Sequence, residues 1–306
     1  MEENFSYNTI KLIVQGGKHM NYSALIQNRK SFRQFKNKKV SQAQLQKLGD
    51  YYSHVRRLLP EIETQLRVFE TGAREALEGA AGYNQFLVGA PQYLVLLSEK
   101  HPMAHLNAGF IMEDLILKLT EMDLNTCWLT FADSADIKAA LGIDSDLEVV
   151  AMAAFGYGVK TTKRLRLNMR SMSDVDIVAE HRYVEQKRSV YDMAFIDTWG
   201  NTYKLDDHIG FFDEMLWESL YAATLAPSYL NRQAYGFVIH PGGISLVRCP
   251  DSYNVPIDEA LSLGIVLQHF TCVAEKWAGK LIWRFGKTTA DLELPEGHEV
   301  VATCAL

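Results

Sequence analysis

Cysteine is scarce in this chain: four in 306 residues, Cys127, Cys249, Cys272 and Cys304, with no C-x-x-C spacing. That excludes a disulfide framework and a zinc knuckle, and it suits a reducing cytoplasm. Positive charge is in the minority, 31 Lys and Arg against 37 Asp and Glu, for a formal net charge of −6. Apart from a local run from Lys160 to Arg170, read as a solvated loop, no basic stripe could neutralise phosphates. Neither nucleic acid nor an anionic membrane surface is therefore an expected partner. Uninterrupted apolar runs fall short of the ~20 residues of a spanning helix. The N-terminus shows no charged, apolar and cleavable pattern, so neither anchoring nor export is expected. G-x-G-x-x-G, H-E-x-x-H and G-x-S-x-G are all missing, and Gly286-Lys287-Thr288 lacks the upstream glycine of a phosphate-binding loop. His101 and His105 have metal-pair spacing, but Pro102 interrupts them and no third ligand stands nearby.

What is present is the composition of a folded protein, 48% hydrophobic and 22% charged, enough for one large core or two ordinary ones. Residues 1–19 fit poorly with the rest of the chain. They read as an N-terminal extension, with Met20 an alternative start after Gln15-Gly16-Gly17-Lys18-His19. Ser41 and Gln44 form a capping box ahead of Leu45, Leu48, Tyr52, Val55 and Leu59 at helical spacing, ended by Pro60. Gln92 to Ser98 reads as a buried strand, Met103 to Met122 as a long helix, Asp133 to Gly142 as a short capped helix, and Glu148 to Phe155 as a second buried strand. The second half repeats the order. A helix runs from Phe211 to Leu225, a hairpin of Tyr235–His240 and Ile244–Arg248 turns at Pro241-Gly242-Gly243, a long helix follows from Ile257 to Trp277, and strands cover Lys280 to Phe285 and Glu299 to Ala305.

The repeat extends to letters. Glu148-Val149-Val150-Ala151 is echoed by Glu299-Val300-Val301-Ala302, a displacement of 299 − 148 = 151 residues, and Trp128 and Trp283 each follow a long apolar helix. Internal duplication is the expectation. The stretch between Arg164 and Asp206, charged and sparse in apolar periodicity, reads as the crossing connection between halves. The expected division is an extension at 1–19, a first half at 20–190 and a second, degenerate half at 191–306.

Two distant segments carry the chemistry. Arg29, Lys30, Ser31 and Arg33 stand in Asn28-Arg29-Lys30-Ser31-Phe32-Arg33-Gln34-Phe35. If that segment is extended, Arg29, Ser31 and Arg33 project to one face and could meet one anionic ligand. Pro227, Ser228 and Asn231 stand in Ala226-Pro227-Ser228-Tyr229-Leu230-Asn231-Arg232-Gln233. There Pro227 ends a helix and frees Ser228 and Asn231 to cap the next one or to turn towards a ligand.

Together these segments resemble the signatures of the nitroreductase-like flavoproteins, and most closely the branch in which two degenerate halves share one chain. The resemblance covers most of Met20 to Leu306 and implies an α+β nitroreductase-like fold whose two related α/β halves form an intrachain pseudo-dimer. It implies FMN as cofactor and NADH or NADPH as reductant, passing reducing equivalents to a small organic acceptor of nitro or quinone type. A non-catalytic flavin-binding or storage protein of the same fold is the alternative. By the resemblance, Arg29 and Ser31 hold the phosphate and ribityl end and Arg33 lies near the pyrimidine edge. Pro227, Ser228 and Asn231 line the ring, with Gln233 behind them. Lys187-Arg188-Ser189 resembles the segment whose basic residue reaches the phosphate, with Lys163, Arg164 and Arg166 competing. Asn125 to Phe131 resembles the segment whose backbone N–H faces flavin N5, with Thr130 and Phe131 the candidates, although the usual glycines are missing. Trp128 reads as core. Asp258 and His269 match positions of the double-length branch, and His269 reads as a satisfied core histidine. The chain departs from the family at Gln233-Ala234-Tyr235, where Gln-Pro-Trp is usual. The second half lacks a convincing Arg-x-Ser-x-Arg of its own, and Tyr51 to Arg56 stands where the first half's lid would fall. One flavin per chain and a functionally sufficient monomer are expected.

Overall fold

A computed structural model describes residues 20–70, 72–83, 86–159, 164–171, 174–180, 186–204, 210–286 and 288–306, with the backbone alone at 164–171, 174–180 and 211. The 1–19 extension, Lys163, Asp206 and Lys287 lie outside the described residues, as do the side chains of Arg164 and Arg166.

The first half opens with α1 (Tyr22–Asn28), capped by Asn21, whose side chain accepts from the Ala24 N–H. Helix α2 (Gln42–His54) begins at the Ser41–Gln44 capping box but stops at His54, short of Pro60, because Val55 turns to extended backbone. Strands β1 (Thr64–Phe69), β2 (Gln92–Ser98), β3 (Asn125–Leu129) and β4 (Glu148–Gly156) form an antiparallel sheet in the order β1-β2-β4-β3. β2 is buried at every position, as a run of apolar residues covered on both faces must be. Between strands lie α3 (Ala73–Leu77), the long α4 (Ala104–Glu121) and α5 (Ser134–Leu141), which ends at Gly142 in the left-handed conformation. The charged stretch after β4 is a hairpin of β5 (Arg164–Ser171) and β6 (Asp174–Glu180), where a plain connection is expected from the sequence. Alternation of charged with apolar letters there is strand patterning read as solvated loop.

The second half contains β7 (Ala194–Ile196), α6 (Phe211–Thr224), β8 (Tyr235–His240), β9 (Gly243–Arg248), α7 (Pro256–Ala278), β10 (Arg284–Phe285) and β11 (Glu299–Cys304). Its sheet runs β10-β11-β9-β8-β7, with β7 joining in parallel. Trp283 lies just outside β10, so the expected strand from Lys280 shrinks to two residues. Leaving β7 aside, the two sheets have one topology: β8, β9, β10 and β11 stand in the places of β1, β2, β3 and β4, and α6 and α7 in those of α2 and α4.

α4 and α7 cross at the centre of the molecule, and small residues determine how closely. A Cβ on Gly109 would fall onto the carbonyl oxygen of Leu261, and one on Gly264 would fall onto that of Leu106 and lie 3.0 Å from the Gly109 Cα. The backbones therefore touch. The glycines are equivalent, since 264 − 109 = 155 and 283 − 128 = 155 for the two tryptophans. By length and composition α7 could cross a membrane, because its polar residues break the runs without lowering the average enough; 83% of its apolar window is buried inside the protein against α4 and α6. It serves as a core helix here.

Gly109→Ala and Gly264→Ala are each expected to destabilise the protein by about 1–3 kcal/mol, the range for overpacking. Urea denaturation is the measurement, and unchanged midpoints would show that the helices can part at no cost.

Candidate active site

The first motif is extended because it adds to a sheet edge. β3 is the outer strand, and the segment runs beside it: Ser31 bridges Thr126, the Phe32 N–H donates to the Thr126 carbonyl at 2.9 Å, and Phe35 bridges Gly158. A side chain at Gly158 would strike the Phe32 ring, so its bare Cα lets the segment lie close. Arg29, Ser31 and Arg33 thereby face one cavity of about 750 Å³.

The other wall comes from the second half. Pro227, Ser228 and Asn231 line the same cavity, carried by a short 3₁₀ turn at Tyr229–Asn231. The turn is held by left-handed backbone at Leu230 and Asn231, φ 49° and 57°. The sequence leaves two uses open, capping and lining a ligand, and Ser228 makes no side-chain cap bond to the 3₁₀ turn that follows it. The Ser228 hydroxyl accepts from the Gln233 N–H at 3.0 Å. Asn231 accepts from the Lys187 ammonium at 2.6 Å and donates to the Gln186 carbonyl at 2.8 Å. Gln233 is buried behind them, donating to the Thr224 carbonyl at 2.7 Å.

Of the basic residues after position 160, Lys187 lines the cavity. Arg188 does not; its guanidinium is spent on the carbonyls of Gln233, Tyr235 and Asp192. Lys30 is exposed, because on an extended segment its side chain alternates away from Arg29 and Ser31. Phe131 is buried in the first half's core, one residue past the point where the chain lines the cavity with Thr130, so what it could offer a ligand is its backbone and not its ring. The Thr130 carbonyl accepts from the Gly82 N–H at 2.8 Å, so the loop after α3 supplies the pairing that closes this turn without glycine.

Beneath the cavity lies a charged cluster that no sequence motif singles out. Glu113 of α4 is fully buried; it accepts from the Trp128 indole N–H at 2.8 Å, faces His269 Nε2 at 2.9 Å and lies 3.5 Å from Arg29 Nε. Burial acts to raise the Glu113 pKa, but His269, the Arg29 charge and the indole outweigh it and hold the carboxyl below its usual range. Arg29 is anchored, its side chain only 8% exposed and its buried Nε without a hydrogen-bond partner. His269 is a satisfied core histidine, with Nδ1 3.0 Å from the Ala222 carbonyl. Trp128 both fills core and lines the cavity. Two adjacent carboxylates inside the apolar run Ile111-Met112-Glu113-Asp114-Leu115 were the available signal, since buried charge demands partners.

Asp258, in the first turn of α7, completes the wall; the Thr130 hydroxyl donates to its two oxygens at 3.0 and 2.9 Å. Its burial pushes the carboxyl up from 3.8 to about 6, while the Thr130 hydrogen bond pulls it down. His101 and His105 lie on a separate surface hollow. No cluster of three or more His, Cys, Asp or Glu suited to a metal exists among the described residues.

At the related position of the second half the side chains differ from those of this cavity. Phe110 stands where Ile265 lines the cavity (265 − 110 = 155), and it is fully buried in the core cluster that contains Trp283 and is flanked by Leu58 and Met103. The counterpart of the lid, the Pro227–Asn231 segment, is the chain after α2: the Leu59 N–H donates to Asn107 at 3.1 Å as the Tyr229 N–H donates to Ser262, the two acceptors lying 262 − 107 = 155 residues apart. Tyr51 to His54, at the expected lid, remain helical.

The sequence model of a family described as "Putative TM nitroreductase" matches residues 21–196, more than half of the chain, and the protein belongs to this family. A Thermotoga maritima crystal structure described as a "putative nitroreductase" is 18% identical, covers 96% of this chain and 98% of its own, and superposes with a TM-score of 0.56, which shows a shared fold. A nitroreductase family protein of Clostridium novyi NT is 21% identical over 45% of this chain and 87% of its own, TM-score 0.41. An FMN-dependent nitroreductase of Clostridium difficile R20291 is 18% identical over 45% and 87%, TM-score 0.40. No curated protein matches. The fold is thus nitroreductase-like, with two related halves in one chain.

A second buried carboxyl tests the packing that presents Arg29. Asp114 accepts from the Tyr22 and Tyr51 hydroxyls, each at 3.0 Å, tying α1 to α4 and α2. Burial raises it from 3.8 to about 6 against those hydrogen bonds. A folded state that binds the proton more tightly than the unfolded chain loses this contribution as pH rises from about 4 to about 6. The loss is about 3 kcal/mol. Asp114→Asn is expected to keep the tyrosine contacts and flatten that part of the stability profile. Parallel wild-type and variant profiles across that window would contradict it.

Proposed function

We propose that this protein is an FMN-dependent oxidoreductase that takes reducing equivalents from NADH or NADPH and delivers them to a small organic acceptor of nitro or quinone type. The observation that carries the reading is the meeting, in one cavity of one chain, of Arg29, Ser31 and Arg33 from the first half with Pro227, Ser228 and Asn231 from the second. Arg29 also fits such a cofactor, since buried Glu113 holds its Nε at 3.5 Å while the side chain lines the cavity, where an anionic phosphate would complement the cation.

In this reading Arg29, Ser31 and Lys187 hold the phosphate and ribityl end, and Arg33 faces the pyrimidine edge, where a cation complements negative charge. Pro227, Ser228 and Asn231 line the ring side, and Thr130 closes the opposite wall. FMN bound here would supply the hydride chemistry, so the chain's own task is to bind, orient and exclude water. The cavity suits this, with Leu129, Leu261 and Ile265 adding apolar lining to that of the cations. The join between the halves falls in this reading at 190/191, and the monomer suffices because both walls belong to one chain. The four free cysteines agree with a reducing cytoplasm.

Arg29→Ala and Ser31→Ala are each expected to weaken FMN binding, by roughly 10- to 100-fold for the charged hydrogen bond of Arg29, on the scale of 1.5–3 kcal/mol. Arg33→Ala is expected to slow flavin reduction more than it weakens binding. Native mass spectrometry is expected to count one FMN per monomeric chain, and anaerobic mixing with NADPH to bleach it. Wild-type affinity in both Arg29 and Ser31 variants would remove the motif from the site. A flavin that stays oxidised with either pyridine nucleotide would make the protein a flavin store.

A further inference from the structure

We infer that Asp258 is the acceptor-recognition group of this cavity: as a neutral carboxylic acid it donates a hydrogen bond to an oxygen of a small uncharged aromatic ligand, a nitro oxygen or quinone carbonyl, lying against Tyr83 and Tyr229. The inference rests on the functional reading above for the class of second reactant.

The geometry begins with an unbalanced carboxyl. Asp258 is 7% exposed, and no cation pairs with it among the described residues. Its neighbour Glu259 does have a cation, Arg248 at 3.3 Å. A buried carboxylate without a counter-charge is costly, so burial favours the protonated form, which predominates below about pH 6. The Thr130 hydroxyl, spread over both oxygens, does not replace a cation. The positive end of α7 favours the anion by about 0.3–1 kcal/mol. That falls short of the effect of burial, which leaves the group titrating at about 6.

The surroundings specify the ligand. Tyr83 and Tyr229 stand 6.3 Å apart at 60°, both lining the cavity, with Tyr83 half exposed at its mouth. Tyr229 is fixed relative to Asp258 by a relay: its N–H donates to the Ser262 hydroxyl at 3.1 Å, which donates to the Asp258 carbonyl at 2.7 Å. An aromatic ligand is favoured against such faces, and a single buried donor beside them selects an acceptor oxygen. A carboxylate on the ligand would raise the cost of any residual ionised Asp258. The neutral oxygen of a nitro group or quinone carries no such cost.

The charged and titratable groups around Asp258 are few. Tyr229 and Tyr83 face it from the lid and the loop after α3, and Arg29, Arg33 and Lys187 line the same cavity from α1's end and the join. Across α7, α4 holds Glu113 and Asp114 beside His269 and Gln268, about three helical turns further along.

The test is calorimetric titration of nitrobenzene into the oxidised holoprotein between pH about 5 and about 8, with flavin content read from absorbance in the same samples. Nitrobenzene does not titrate in that range, so the profile reports the protein. Since apparent affinity scales with the fraction of competent protein, wild-type affinity is expected to be level at low pH and to fall about tenfold per pH unit above the Asp258 midpoint. Asp258→Asn retains a donor at every pH. It is expected to bind without pH dependence and at least about tenfold more tightly than wild type near pH 8. A flat wild-type profile would overturn the inference, as would an Asp258→Asn protein that folds but has lost its flavin, which would place the carboxyl on the cofactor. A wild-type protein purified without flavin would instead sink the functional reading. The titration on that flavin-free chain still decides for or against Asp258 by the same pH signature.

Discussion

The crossing of α4 and α7 at Gly109 and Gly264 is the constraint on which the rest of this structure depends. With bare Cα atoms at the contact the two backbones touch, and side chains one turn beyond are brought across the interface onto each other. Glu113 lies four residues past Gly109 and His269 five past Gly264, and they meet at 2.9 Å. From that pair the cluster reaches upward to Trp128 at the sheet edge and to Arg29 at the end of α1. The cation of the first motif is thus positioned by a contact between the two halves.

This arrangement also explains why a symmetric framework yields an asymmetric site. The strand order, the long helices and their glycines are duplicated, but the letters around the cavity are not. Where the first cavity has Ile265, the related position has Phe110, whose larger ring is buried in the core cluster that also holds Trp283. Where the first cavity has the left-handed turn at Leu230 and Asn231, the related chain follows the end of α2 and returns to Asn107. The buried carboxyls among the described residues are Glu113, Asp114 and Asp258, and of these Asp258 lines the cavity while Glu113 pairs with its Arg29.

The legible part of the fold was its periodic part. α2's capping box, β2, α4, α5 with its glycine stop, the β8–β9 hairpin and α7 all follow from caps, runs and turns that act within a few residues. The misses share a cause. α1 is a short helix, β5 and β6 carry charges on alternate positions, and β10 shrank to two residues; in each, the neighbour across space outweighs the local pattern. Val55 ended α2 early for want of any local stop signal, and the lid's turn depends on positive φ at Leu230, Asn231 and Gln233, which no propensity rule assigns to leucine.

For the site, sequence alone determined which residue types are available: two motifs whose cations, hydroxyls and proline suit a phosphate-bearing planar ligand, and a repeat that doubles the scaffold. Tertiary structure decided which of them meet. It brought Arg29, Ser31, Arg33, Thr130, Lys187, Pro227, Ser228 and Asn231 to one cavity, turned Lys30 to solvent, spent Arg188 on backbone carbonyls and sent Phe131 into the core. It also gave Glu113 and Asp258 their meaning, since a carboxylate's partners and burial are set by chain segments more than a hundred residues away. Side-chain chemistry is written locally, whereas burial, pairing and pKa arise only when distant segments share one low-dielectric space.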